Sequence, residues 1–329
     1  MSEGLDIRRA VLHILDKSIG VPLLSEELLD LYEIEEFVER HILKSLKDED
    51  SKIIHNYDGK LLDILDSYEH SPNGFLNLSK EFASMFYNII SKSEVPSADL
   101  LVIDYLNNEE RNLMILKLNY KKSYIHYVEK SESLKNKIIC QPVSLPNESQ
   151  KIDEFINFNT KKNIVTIKEK KYDFDGISEK YISKFILEIA QSKSPKENLN
   201  LVKNAVDKVI KKYYPDDFMI KINTNDTMAE SFNKERMINV DNIAEQVSKG
   251  IENIREDFLD DIKMAGITKK QILLNDNLKS HLNKKQRIIT EDGIEVKVPI
   301  NFFKMKDKYE IINNPDGTLS ILIKNIEII

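Results

Sequence analysis

The six histidines are the residues whose type best suits metal binding or acid–base catalysis: His13, His41, His55, His70, His126 and His281. No two of them stand four residues apart, and the sequence His-Glu-x-x-His does not occur. That spacing is the one that places two histidines on the same face of a helix, where they can share a zinc ion. With a single cysteine, a cysteine-based zinc site is also excluded. We therefore expect no metal site and no cofactor.

The sequence also lacks the short motifs of common catalytic sites. It contains neither the Gly-x-Ser-x-Gly turn of serine hydrolases nor the Gly-x-x-x-x-Gly-Lys loop that holds nucleotide phosphates. Acidic neighbours such as Asp216-Asp217 and Asp260-Asp261 do not face each other on a helix, so we interpret them as solvated surface. The expected class is a non-enzymatic protein without catalytic residues, and a nuclease site assembled from distant residues remains the alternative.

The single cysteine and the N-terminal residues bear on the cellular compartment. Cys140 stands beside Ile138, Ile139 and Pro142, a setting that favours a small buried residue over a reactive thiol. No intrachain disulfide can form. The acidic start lacks the basic region and apolar run of a signal peptide, and no stretch approaches the roughly 18 apolar residues of a membrane helix. These features predict a cytoplasmic protein without a membrane partner.

Charge is the property that points toward a function, because its distribution is uneven. The net charge of −7 combines an acidic first third with a basic middle. Residues 1–110 contain 10 Lys and Arg against 23 Asp and Glu, and residues 111–212 contain 21 against 12. Salt confines electrostatic fields to about 8 Å at physiological ionic strength, so a basic segment can present a local positive surface on an acidic protein. Solvated lysines without a ligand are the alternative explanation.

Eight lysines of the basic middle are candidate contacts for nucleic-acid phosphates: Lys161, Lys162, Lys170, Lys171, Lys203, Lys208, Lys211 and Lys212. On a helical wheel of the segment 195–213, Lys208 and Lys212 point away from the apolar face, and Lys203 and Lys211 lie on its flanks. Lysine is a point charge, whereas arginine is the usual bidentate reader of bases. The expected partner is therefore double-stranded DNA, bound mainly through phosphates with little sequence readout.

The first half of the chain alternates short apolar runs with helical periodicity. Strands are predicted at 5–15, 52–55, 100–105, 113–118, 123–128 and 137–143, with further runs at 152–158 and 163–169, and helices at 34–46, 60–69 and 79–92. The four central strands are joined by short connections, which predict an antiparallel meander. We expect an N-terminal α+β domain over residues 1–175, in which flanking helices pack on an antiparallel sheet.

Helical periodicity dominates after residue 176. Helices are predicted at 178–191, 195–213 and 242–264, and antiparallel hairpins at 287–298 and 309–323. Ser194, Pro195 and Glu197 form the capping-box pattern that starts the second helix. The third helix repeats apolar residues from Val247 to Ile262 at nearly heptad spacing. This seam predicts burial in the chain's own core, and a homodimer contact is the alternative. The expected C-terminal domain spans 176–329, a helical region ending in hairpins.

Three stretches of the sequence resemble the bacterial 37-kDa nucleoid-associated protein family, also called NdpA or YejK-like. The first is residues 7–15, with Ala-Val-Leu-His at its centre. The second is the predicted helical stretch 178–209, and the third is the tail with 294–301, 309–312 and 318–321. With chain length and element order, the resemblance covers nearly the whole chain.

The resemblance implies a two-domain α+β protein of the bacterial nucleoid that binds DNA directly or through other nucleoid proteins. It implies no catalytic residue and identifies no DNA-contacting residue, so the eight lysines rest on charge and helix geometry alone. Two alternatives remain open: a protein-interaction module recruited to the nucleoid by a partner, and a component of a phage-defence or mobile-element locus. The acidic residues 1–110 and the apolar seam of the predicted helix 242–264 motivate the first of these alternatives, because an acidic surface suits a basic protein and a seam can hold a partner helix.

Overall fold

The computed structural model describes residues 4–55, 65, 73–130, 134–189, 193–215, 217–274, 276–282, 286–289, 292–299, 302, 305, 307–315 and 318–325. The chain divides into two compact units, Met1–Ser192 and Lys193–Ile329. The boundary predicted from composition lies earlier, between residues 175 and 176. Both units contain helices and antiparallel strands, so the predicted α+β class is confirmed.

The first unit is organised around one six-stranded antiparallel sheet. Its strands, in their order across the sheet, are β1 (Leu5–Leu15), β3 (Ala98–Asn107), β4 (Glu110–Asn119), β7 (Glu154–Asn159), β8 (Ile164–Lys168) and β2 (Lys52–His55). Every one of these strands was predicted from its apolar run. The runs at 152–158 and 163–169 do extend the sheet.

Both faces of this sheet are covered by helices, α1 (Glu35–Leu46) and α2 (Gly74–Ile90). Along β1, Val11 and Leu15 pack with the side chains of α2, and Ala10 packs with those of α1. Because successive residues of a strand point to opposite faces, each helix receives its own row of side chains. The central strands are consequently buried along most of their length, and the unit has three layers.

The predicted central meander is wrong at its third strand. β5 (Lys121–Lys130) and β6 (Leu134–Ser144) pair only with each other among the described strands, and β4 pairs instead with β7. Almost every described side chain of β5 and β6 is exposed. These two strands therefore do not pack in the core that the six-stranded sheet forms with its helices. Cys140, expected to be buried, is exposed on β6 for the same reason.

The predicted helix 178–191 is wrong in its first part. β9 (Lys171–Phe174) and β10 (Ile177–Lys180) form a hairpin, and among the described residues that follow it up to 189, Ile182–Ile186 forms a π-helical turn. The chain reverses at Asp175 and Gly176, both with positive φ, and the Gly176 N–H donates to Asp173 Oδ1 at 2.9 Å. That side-chain hydrogen bond stabilises the turn and returns the chain alongside β9.

Charged side chains inside the first unit are paired. The Lys117 Nζ lies 2.9 Å from Glu154 Oε2 with both side chains fully buried, and Tyr172 OH donates to the same oxygen. Lys52 Nζ lies 2.5 Å from Glu169 Oε1 and 2.6 Å from Ser183 Oγ. Burial of an unpaired charge is strongly unfavourable, so each of these lysines depends on its carboxylate.

The second unit is a helical bundle with short strands. Its helices are α3 (Pro195–Tyr213), α4 (Phe218–Glu235), α5 (Val240–Ser248), α6 (Glu252–Met264) and α7 (Lys279–Leu282), and β11 (Met237–Asn239) pairs with β12 (Gln271–Leu273). The helix α4 was not predicted, because Asn and Thr, which have low helix propensity, cluster near its middle at 223–227. It is stabilised by packing, since Ile220, Met228 and Phe232 are buried in the core.

The predicted single helix 242–264 is also wrong. It is two helices, α5 and α6, because Lys249 and Gly250 adopt left-handed φ values of 52° and 76° that end α5. The apolar seam is buried in the core of the unit through Val247, Ile254 and Phe258. Burial, the favoured interpretation of the seam, is confirmed at these residues, whereas Ile251 of the same seam is 47% exposed. The homodimer alternative stays a prediction.

The C-terminal hairpins were correctly predicted as paired strands. They are β13 (Gln286–Ile289) with β14 (Glu295–Val298), and β15 (Tyr309–Asn313) with β16 (Leu319–Ile323). The turn residues Asp316 and Gly317 lie outside the described residues, as does the predicted helix 60–69 apart from Leu65.

The buried pair Lys117–Glu154 yields a stability prediction. Lys117→Met leaves the Glu154 carboxylate buried without its cation, and we expect a loss of about 3–5 kcal/mol in the free energy of unfolding, measured by urea denaturation. Adding Glu154→Gln removes the uncompensated charge and is expected to restore most of that loss. Lys162→Met, in an exposed pair with Glu110, is the control and should cost less than about 1 kcal/mol. Equal losses in the buried and exposed variants would contradict the role assigned to burial.

The buried His13 yields a prediction of pH dependence. Its Nδ1 accepts the Ser25 N–H at 3.0 Å, so the neutral ring can donate from Nε2 to Ser79 Oγ at 2.9 Å. Burial, helped by Lys80, lowers the pKa of His13 from 6.5 to about 4. As the pH falls, the unfolded chain binds a proton at His13 before the folded chain does. The free energy of unfolding therefore decreases between pH 6.5 and pH 4, by at most about 3 kcal/mol.

Denaturant unfolding of the wild type and of His13→Gln between pH 7.5 and 5 measures this dependence. We expect the wild type to lose more stability than the variant over that range. His126→Gln is the control, because His126 is exposed on β5. If the free energy of unfolding changed equally with pH in the wild type and in His13→Gln, His13 would not be the source of the pH dependence.

Candidate nucleic-acid interface

The helix α3 positions four of the eight predicted lysines, and its start is fixed by a complete capping box. Ser194 Oγ accepts the Glu197 N–H at 3.1 Å, and Glu197 Oε2 accepts the Ser194 N–H at 2.7 Å. Pro195 occupies the first helical position, where its missing N–H has no consequence. Val202, Val206 and Val209 are buried, so the opposite side of the helix faces solvent.

Two lysines on the exposed side of α3 form ion pairs with α6. Lys208 Nζ lies 2.5 Å from Asp261 Oδ1, and Lys212 Nζ lies 2.5 Å from Asp257 Oδ2. The acidic residues follow each other at four-residue spacing on α6, as the lysines do on α3. The face expected to be basic is therefore partly neutralised by carboxylates that the helical wheel of α3 cannot reveal.

The contact at Asp257 is the more elaborate of the two. Tyr213 OH also donates to Asp257 Oδ2, and Lys212 Nζ lies 4.8 Å from the centre of the Tyr213 ring. The hydrogen bonds from Lys212 and Tyr213 lower the pKa of Asp257, and the same contact raises the pKa of Lys212. Both partners thus stay charged at neutral pH. The pair is nevertheless exposed, and exposed pairs contribute little to stability.

The two other lysines of α3 differ from this pattern. Lys211 is exposed and has no ion-pair partner within the part of the chain that the structure describes. Lys203 is half-buried, and its Nζ donates to the His281 carbonyl at 2.7 Å, which ties α3 to α7. Lys208, Lys211 and Lys212 therefore share one exposed face, and Lys203 does not belong to it. We call these three residues the α3 lysine face.

The four lysines of 161–171 do not form one cluster in the structure. Lys161 and Lys162 lie in the turn that precedes β8, and Lys170 and Lys171 follow the end of the same strand. A five-residue strand separates the two pairs by about 17 Å along its axis. Lys162 pairs with Glu110 and Lys170 with Asp153, so Lys161 and Lys171 are the ones without an ion pair among the described residues.

Five lysines occur on β5 and β6, and none of them is among the eight candidates: Lys121, Lys122, Lys130, Lys135 and Lys137. The signal available in the sequence was the alternation of lysine with Tyr and Ile, which we read as strands of the sheet. All but Lys121 are exposed, because the two strands leave the sheet.

The other residue types with chemical potential form no site in the described structure. Among the described residues no group of three or more His, Cys, Asp or Glu side chains is placed to hold a metal ion. His13 and His41 are buried and bonded to neighbouring groups. None of the helices described here has the length and apolar character needed to cross a bilayer.

Comparison with known proteins identifies a family. The model of the family described as nucleoid-associated protein YejK matches residues 11–328, which is nearly the whole chain. No curated protein matches the chain. The match extends through both units and includes all eight candidate lysines.

The capping box of α3 yields a prediction for the element that carries the lysine face. Ser194→Ala leaves the Glu197 N–H without its acceptor, and we expect a loss of about 1 kcal/mol in the free energy of unfolding. Denaturant unfolding followed by far-ultraviolet circular dichroism measures this loss. Ser178→Ala, at an exposed position of β10, serves as the control. A Ser194→Ala variant as stable as this control would mean that the cap does not stabilise α3.

Proposed function

The chain belongs to the family of nucleoid-associated protein YejK, and on that premise we propose that it binds double-stranded DNA through phosphate contacts made by the α3 lysine face. The observation that carries the proposal is the geometry of that face. Three lysines project from consecutive turns of one helix, and the two that pair with carboxylates keep 67% and 61% of their side chains exposed. A row of phosphates can replace such carboxylates, because exposed ion pairs have interaction energies of only about 0–1 kcal/mol.

Contacts of this kind give affinity without sequence readout. Lysine delivers charge to phosphate oxygens and releases counterions from the duplex, which makes binding steeply dependent on salt. Direct reading of bases would need side chains that present two hydrogen-bonding groups to a base, such as the two donors of Arg or the donor and acceptor of Asn, aimed into a groove. The α3 lysine face has none, so the proposed binding is general, and the proposed location is the nucleoid in the cytoplasm. We propose a non-enzymatic role, since the lysine face contacts phosphate and performs no chemistry on it.

The turn lysine Lys161 and the strand-end lysine Lys171 are secondary contacts in this proposal. Each is exposed and lies in the first unit. Because they stand at opposite ends of β8, a duplex that contacts one need not contact the other. Lys162 and Lys170 require displacement of Glu110 and Asp153, respectively, and Lys203 requires release of the His281 carbonyl.

Recruitment through a protein is the second candidate function. Residues 1–110 carry 13 more acidic than basic side chains, and this excess suits a basic protein better than a polyanion. In that case the lysine face would have no part in nucleoid association. The two functions differ in a simple way, because only the first requires affinity for naked DNA.

The test measures binding to a random-sequence duplex by fluorescence anisotropy, titrated between about 50 and 200 mM salt. The triple variant Lys208→Glu, Lys211→Glu, Lys212→Glu is expected to lose binding. The double variant Asp257→Asn, Asp261→Asn frees the same lysines and is expected to bind more tightly than the wild type. Replacing the three lysines by Gln should flatten the slope of log affinity against log salt by about 3.

Controls separate the lysine face from net charge. Lys161→Glu with Lys171→Glu changes the charge in the first unit and should weaken binding less than the triple variant. Circular dichroism confirms that each variant is folded. Opposite effects of the lysine and aspartate variants support the proposal. Unchanged affinity in both variants would mean that the α3 lysine face does not bind DNA. Absence of binding by the wild type at the lowest salt favours recruitment through a protein.

A further inference from the structure

The strands β5 and β6 form a two-stranded hairpin whose side chains lie in solvent, and we call these two strands the ribbon. Nine residue pairs join them, which makes the ribbon about 30 Å long. Every described residue of the ribbon from Tyr124 to Val143 is exposed except Glu129. Both faces of the ribbon are therefore open to a partner.

The ribbon is basic, although the whole chain is acidic. The segment 121–144 contains five lysines against two glutamates and has no arginine. Lys122, Lys130 and Lys135 are exposed and have no ion pair among the described residues. This excess of positive charge is complementary to a polyanion, and it repels a second copy of the same surface.

The strand register places lysines on both faces of the ribbon. Residues directly opposite in an antiparallel pair share a face, and successive residues of a strand alternate between faces. Lys130 and Ile138 consequently lie on one face, and Lys135 and Ile139 lie on the other. A partner that contacts a single face would leave charged and apolar side chains of the other face in water.

The dimensions of the ribbon suit the major groove of B-form DNA. That groove is about 12 Å wide and admits a two-stranded ribbon, whereas the minor groove is only about 6 Å wide. Sheets pack about 10 Å apart, and this spacing approximates the thickness of a ribbon with its side chains. A ribbon inside the major groove has a phosphate backbone on either side, within reach of lysines on both faces.

The exposed apolar side chains of the ribbon also fit this location. Thymine presents its C5-methyl group in the major groove, where apolar side chains can contact it. Tyr124 is 63% exposed and Ile138 is 80% exposed, so both are available for such contacts. Solvated lysines alone would not require apolar neighbours of this kind on both strands.

We propose that the ribbon lies in the major groove of double-stranded DNA, with its lysines on the two phosphate backbones. The inference rests on the proposed affinity for DNA. It does not rest on the α3 lysine face, because the ribbon belongs to the first unit and adds a groove contact to the phosphate contacts of the second.

The first test removes the charge of the ribbon. Lys122→Gln, Lys130→Gln and Lys135→Gln are combined in one variant, and its binding to a random-sequence duplex is followed by fluorescence anisotropy against salt. We expect weaker binding, and a slope of log affinity against log salt that is flatter by about 3, because three phosphate contacts are lost. Circular dichroism checks that the variant is folded.

The matched control removes three exposed lysines elsewhere in the same unit. Lys47→Gln, Lys92→Gln and Lys151→Gln change the net charge equally but lie outside the ribbon. This variant is expected to keep the affinity and the salt slope of the wild type. Equal losses in the two variants would assign the effect to net charge and overturn the proposal.

The second test identifies the groove. A duplex whose cytosines carry a glucosylated hydroxymethyl group at C5 has an obstructed major groove and unchanged phosphates. The wild type should bind it more weakly than the plain duplex, and the ribbon variant should lose part of this preference. Equal binding of the wild type to the two duplexes overturns the location in the major groove.

Hydrogen exchange separates the remaining outcomes. Addition of plain duplex should slow exchange at the backbone amides of β5 and β6. Slowing that follows protein concentration without DNA overturns the proposal and assigns the ribbon to a contact between copies. If the ribbon variant binds like the wild type and the α3 variant does not, the ribbon fails and the proposed function stands. The reverse result supports the ribbon and removes the α3 lysine face, and a wild type that binds no duplex overturns both.

Discussion

Coverage of the six-stranded sheet on both faces is the constraint on which the rest of the first unit depends. With α1 on one face and α2 on the other, the interior strands have no solvated side, and any charged residue on them must be compensated. Lys117 is paired with Glu154 and Lys52 with Glu169 for this reason. Asp104 of β3 likewise lies 3.0 Å from both Arg9 and Arg111. The same constraint excludes β5 and β6 from the sheet, because lysines are mixed with apolar residues on each strand and would be buried without carboxylate partners.

Compensation within the chain also changes the meaning of its charge distribution. The basic middle segment contains lysines that point inward or bind nearby carboxylates, such as Lys117 and Lys168, which lies 2.8 Å from Asp48. Counting charges along the sequence therefore overstates the positive surface available to a ligand. The positive charge that a polyanion can use lies at few places, and in the second unit it depends on how firmly α6 holds the lysines of α3.

Elements with one strong signal could be predicted from the sequence, and elements defined by competing signals could not. The buried strands of the sheet and α3 were found because their apolar runs or caps are unambiguous. The division of α5 from α6 was missed because two residues in the left-handed conformation interrupt an otherwise continuous apolar seam. The strands β5 and β6 were placed in the sheet because alternation identifies a strand but not its partner. The pairing of Lys208 and Lys212 depends on a second helix about 50 residues away, and no local pattern contains that information.

The break between α5 and α6 has a consequence for how the proposed phosphate-binding face would select among anions. By turning the chain at Lys249 and Gly250, it lets α6 align Asp257 and Asp261 with Lys212 and Lys208. A small anion must displace these carboxylates one at a time and gains a single contact for each displacement. A polymer of phosphates engages several lysines through one tethered chain, so its later contacts form at high effective concentration. In the proposed binding, the aspartates would thus act as a threshold that favours polymeric anions over the free nucleotides and metabolites of a cell.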